Sequence, residues 1–152
     1  MALNIPEIRQ LGESIARAFA NRDFNDVDFS EVATAALERL PCPQSFDPRE
    51  LSAYIQGVDF PQQISWDFSD LPILIYRDRN FYVELLLWTK ATARIHQHGF
   101  CGAFKVLVGS SLHTEYEFVA QADIGNDVAV GELTARGSEH LTQGAVRKIT
   151  AG

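Results

Sequence analysis

Residues 94–109 read R-I-H-Q-H-G-F-C-G-A-F-K-V-L-V-G, and the two histidines, His96 and His98, stand one residue apart. On a β-strand, residues i and i+2 project from the same face. A strand over 92–98 therefore turns both imidazoles toward one point, as the first two ligands of a metal ion require. Thr92 and Arg94 share that parity, which puts a cation on the same face as the metal. The plainer alternative is a pair of surface histidines on an edge strand.

Working outward, 99–102 reads as a turn, 103–108 as a hydrophobic strand, and Gly109 opens the next turn. Upstream, 71–76 and 81–88 are rich in aliphatic and aromatic residues, and R-D-R-N between them reads as a hairpin turn. Downstream come a strand over 112–119, a turn at D-I-G-N-D (123–127) and a strand over 128–135. Segments 138–141 and 145–149 then flank T-Q-G. Short strands with regular turn signals and no interleaved helices predict an antiparallel sandwich or barrel.

Before residue 64 the pattern is helical. Ile5, Ile8, Leu11, Ile15 and Phe19 recur at spacings of three and four, the signature of an amphipathic helix over 5–20. A second helix is expected over 31–40, capped by Asp28 or Ser30 and closed by Pro41 and Pro43. A third starts at D-P-R-E (47–50), with Asp47 as N-cap and Pro48 at the first helical position, and ends at Gly57. All three are expected to be scaffold.

A chain of 152 residues with 46% hydrophobic and 22% charged residues fits one globular domain with one core. The net charge of −7, from 13 basic and 20 acidic residues, argues against nucleic-acid and membrane-surface partners. No stretch approaches the roughly 20 apolar residues of a membrane span. The N-terminus carries no visible signal peptide. Cys42 and Cys101 lie far apart in different kinds of segment, so a disulfide framework is not expected and a reducing cytoplasm is the simplest reading.

The run I-L-I-Y-R-D-R-N-F-Y-V-E-L-L-L-W, followed by I-H-Q-H and F-K-V-L-V-G, resembles the first signature of the cupin superfamily. Within that superfamily it is most similar to the cysteine (thiol) dioxygenase branch, over 73–118. The resemblance implies an all-β fold: a cupin double-stranded β-helix, or jelly-roll barrel, over 64–152, preceded by a helical lead-in over 1–60. It also implies a mononuclear iron(II) site, with zinc, nickel and manganese as alternative metals, acting on a small thiol or related small acid and dioxygen. His96 and His98 are the two metal ligands it assigns.

Two departures from that family stand out. Its third histidine comes from a second motif just after a strand like V-R-K-I-T-A-G, and no such histidine occurs in 145–152. On this reading the barrel lacks its last strands, or His113 or His140 substitutes. A glutamate common among cupins is also absent, its positions being Gly102 and Ala103. That leaves an all-histidine, neutral donor set, as in thiol dioxygenases.

The resemblance places an arginine from an early strand on the substrate carboxylate. Arg77 is its candidate here and Arg94 the second; Tyr116 and Tyr82 are candidate pocket hydroxyls. Cys101 and Cys42 read as packing residues. The competing function is a non-catalytic protein that binds a small ligand or another subunit, its histidines holding a structural ion. A zinc- or nickel-dependent isomerase or hydrolase is a third reading, and a homo-oligomer is left open.

Overall fold

The computed structural model describes residues 3–20, 23–57, 61–63, 69–89, 95–125 and 128–151. Three helices come first. In α1 (Ile5–Phe19) the Asn4 side chain accepts the Glu7 amide, and the stripe Ile5, Ile8, Leu11, Ile15 and Phe19 is buried, as its spacing requires.

Helix α2 (Asp26–Arg39) begins five residues before the expected start at 31. Asn25 is the cap: its carbonyl oxygen accepts the Asp28 amide at 2.9 Å while its own amide donates to the Asp28 carboxylate at 2.8 Å. Asp28 thus supports the cap from inside the first turn, where negative charge meets the helix dipole. Ser30, the other expected cap, is buried mid-helix. Its hydroxyl lies 3.0 Å from Asp26 O and 3.3 Å from Ile149 O. Helix α3 (Pro48–Gly57) is capped by Asp47, which accepts the Arg49 amide at 2.8 Å.

Six strands follow. β1 (Leu71–Arg77) and β2 (Tyr82–Leu87) form the expected hairpin, closed by the Asp78 amide donating to Phe81 O at 2.9 Å. Among the described residues β3 (Gly102–Lys105) pairs only with β6 (Val146–Ile149), and β4 (Ser110–Gly125) only with β5 (Val128–Thr142).

The expected all-β cupin barrel is therefore overturned. Among the described residues the strands form three separate two-stranded antiparallel sheets, and with three helices the fold is mixed α/β with no closed barrel. The physical reason is that hydrophobic alternation identifies a strand without naming its partner. The segments expected as several barrel strands form one long ribbon, in which β4 runs on through Asp123, Ile124 and Gly125 and the chain reverses between Gly125 and Val128, within the expected 123–127 turn. Ile95–His98 carries no strand pairing, so the expected strand over 92–98 is absent from its described part. Residues 92–94 lie outside the described residues.

The core is built chiefly from helices. Ile5, Ile8, Leu11 and Ile15 of α1 and Phe29 and Ala33 of α2 pack with Ile73, Ile75 and Phe81 of the first hairpin. Lys105 at the end of β3 donates to Leu40 O at 2.6 Å and Leu37 O at 2.9 Å, the last carbonyls of α2. No helix of the described residues is long and apolar enough to cross a membrane.

Two substitutions test this packing. An exposed helical Gly→Ala ordinarily stabilises by about 1 kcal/mol. At Gly12, however, a Cβ would lie 2.4 Å from Cγ of Tyr76 and 2.8 Å from its Cβ, atoms that cannot swing away. Gly12→Ala is expected to destabilise by about 1–3 kcal/mol, read by urea denaturation. Lys105→Met is expected to cost about 1–3 kcal/mol, because it strips a charged donor from partly buried carbonyls.

Candidate metal centre

The two histidines sit in the irregular segment leading into β3, between Ile95 and Gly102. Although no strand sets their parity, they meet: His96 Nε2 and His98 Nε2 are 2.9 Å apart, with the rings inclined at 61°. His98 also leans on Phe100, with ring centroids 5.2 Å apart. His96 is exposed and His98 half-buried.

That separation can be compared with coordination geometry. With metal–nitrogen bonds of about 2.0–2.1 Å, two ligands at right angles stand about 2.9 Å apart, and at the tetrahedral angle about 3.3 Å. The pair therefore fits two neighbouring corners of an octahedron, the geometry of iron, manganese and nickel more than of structural zinc. The same distance also suits a hydrogen bond between one protonated and one bare ring nitrogen.

Burial depresses the basicity of His98 below the ordinary value, and the neighbouring positive charges of His96 and then His113 add to that effect. A neutral ring is the form that ligates metal. Among the described residues no third His, Cys, Asp or Glu joins the two into a cluster of three.

His113, one of the two alternative ligands, stands on β4 with its ring edge toward Phe104 of β3. Its Nδ1 lies 3.1 Å from Glu139 Oε1, and Arg147 of β6 grips the same carboxylate through Nε at 2.8 and 3.0 Å. Hydrogen bonds from Arg147 and then His113 hold Glu139 down to about 2 from its ordinary 4.5. Sequence reasoning missed Glu139 and Arg147. Their only trace there is the T-Q-G turn between them, which folds the end of β5 back beside β6.

The other candidates are scattered. Arg77 ends β1, exposed, opposite Tyr82. Tyr116 is exposed on β4, on the ribbon face opposite His113. His140 is exposed on β5 opposite Leu112. Arg94 and Thr92 lie outside the described residues, and the same-face argument for them loses its strand. Cys101 packs against the core, where burial raises its thiol pKa, and both cysteines are free. A crevice of about 10 Å³ beside Leu3, Glu7 and Leu40 has room for about one water, and neither histidine lines it.

Comparison with known proteins gives no neighbour: no family model, no curated protein and no solved structure matches the chain.

A carboxylate whose pKa is lowered on folding stabilises the folded state above its unfolded value and loses that contribution as pH falls through its folded one. The Glu139 contacts are accordingly expected to be complete above about pH 4.5 and to fade toward pH 2. Carboxyl NMR titration of Glu139 should give a midpoint near 2, moving upward by about one pH unit in Arg147→Met. An unshifted midpoint would mean that the guanidinium does not set it.

Proposed function

We propose that this protein is a mononuclear non-haem iron(II) oxidoreductase that oxidises a small thiol, or a related small acid, with dioxygen. The observation that carries the reading is the 2.9 Å separation of His96 Nε2 and His98 Nε2, which suits adjacent positions on one octahedral ion. The thiol-dioxygenase-like motif around the pair supports the choice of iron and of substrate class.

The chemistry that iron(II) supplies when bound is activation of dioxygen beside a sulfur substrate. The chain's own part is narrower. His96 and His98 hold the ion through two neutral nitrogens, so it keeps its full charge for an anionic substrate. The lowered basicity of His98 keeps its lone pair available at neutral pH. Phe100 against the His98 ring limits how that ring can turn. Arg77 and Tyr116, the cation and hydroxyl expected to meet the substrate, stand exposed on separate sheets and carry no part of this reading.

A second reading is a non-catalytic protein in which the pair holds an ion for binding a small ligand or partner. The exposure of His96 favours it, since an open site excludes water poorly.

Metal analysis of protein expressed without added metal separates the two. The oxidoreductase reading expects near-stoichiometric iron, lost in His96→Ala and in His98→Ala. It also expects iron-dependent oxygen uptake with thiols that carry a carboxylate or an amine. Bound metal without oxygen uptake leaves the binding protein. Absence of metal, with a melting temperature unchanged by chelator, removes both.

A further inference from the structure

All four histidines of the chain are among the described residues, and they do not gather in one place. His96 and His98 meet, but no third His, Cys, Asp or Glu of the described residues joins them. His113 is engaged by Glu139 at 3.1 Å, and His140 projects from the opposite face of the ribbon. Two protein nitrogens fall short of the three or four donors that ordinarily hold an ion in a folded site.

The pair also stands at the surface. Ile95, His96, Gln97, Gly99 and Phe100 are all exposed, and His98 is half-buried. Phe100 leans on the His98 ring while 51% exposed, and Ile95, on the other side of the pair, is 58% exposed. An ion chelated on such a segment keeps its remaining positions open to donors from another molecule.

We infer that those donors come from a second copy of this chain, so that one ion is shared by two His96–His98 pairs, an assignment that rests on the metal-binding role already proposed for the pair. A second copy brings the same two nitrogens at the same 2.9 Å separation. About a two-fold axis through the ion each residue meets its own counterpart, as an isologous contact requires. Each pair spans a right angle, so two pairs take four of six octahedral positions. Two positions are left, one for a thiolate and one for dioxygen.

The surroundings agree with a contact made through the ion. At a net charge of −7 each, two copies repel one another, and a cation between them offsets that repulsion where they meet. Coordination bonds supply the attraction, and binding of the ion then drives association by mass action, so no broad apolar patch is called for. Ile95 and Phe100 of both copies rim the shared ion and keep out the water that a single exposed pair admits. The iron expected of the oxidoreductase is then one ion for each pair of chains.

Sedimentation of the full chain at a fixed micromolar concentration, titrated anaerobically with iron(II), tests this. A monomer is expected in chelator, giving way to a dimer that is complete at one ion per two chains. X-ray absorption at the iron edge should count four imidazoles around the ion rather than two. His96→Ala and His98→Ala should each abolish the iron-driven dimer, whereas His113→Ala and His140→Ala should leave it and its stoichiometry unchanged. Far-UV circular dichroism, the same for all four variants, separates a lost ligand from a lost fold. A monomer that binds one ion per chain overturns the shared site and leaves the oxidoreductase reading standing; a chain that binds no iron overturns both. A dimer that persists in chelator, or an iron-driven dimer lost in His113→Ala, would also overturn the shared site.

Discussion

The ammonium of Lys105 is the joint on which the arrangement of this molecule turns. The last carbonyls of a helix lack their usual intrahelical amide partners, and at the end of α2 three carbonyls, Leu37 O, Glu38 O and that of the cap residue Leu40, accept from one side chain on β3. The positive charge also sits where the helix dipole is negative. One residue thereby fixes the end of α2 against the end of β3. Other ties follow the same seam: Lys148 pairs with Glu31, Ser30 reaches Ile149 O, and Gln143 donates to both Pro43 O and Leu107 O. The β3–β6 pair is held to α2 by this set of polar contacts, and the histidine segment enters β3 at Gly102.

What could be read from the sequence follows from how local each signal is. The α1 stripe, the Asp47 cap and the β1–β2 hairpin are decided within a few residues of chain, and all three stand where the pattern put them. The early start of α2 is also local, but Asn25 was passed over for Asp28, its own hydrogen-bond partner. Strand partnership is not local. β3 and β6 are joined across 40 residues of intervening ribbon, and nothing in the alternation of either announces the other. The barrel expectation failed at that step, because the strands were read from periodicity and their closure from resemblance.

The site shows the same division. Strand parity was the argument for His96 and His98 sharing a point, yet they share it without the strand. In an H-x-H segment the two rings are close enough in chain for many backbone shapes to bring them together, so the conclusion outlives its premise. Arg94 had only the parity argument, and keeps none of it. Arg77 and Tyr116 depended on a barrel interior, and without one they stand exposed on separate sheets. Glu139 and Arg147 went unseen because their meeting depends on how β5 folds back past the turn, a tertiary fact.

Physical contact runs without a break from the ribbon to the histidines. Glu139 of β5 binds Arg147 of β6, β6 pairs with β3, and the segment carrying His96 and His98 runs straight into β3. His113 at the ribbon's base faces Phe104 of β3 and is near enough to bear on the charge state of His98. Such contiguity fixes position; coupling would require an element with two arrangements, and a bidentate Arg–carboxylate grip favours one. The grip on Glu139 therefore acts as a fixed mount. It ties the base of β5 to β6 and lies beside His113, next to the strand into which the histidine segment runs.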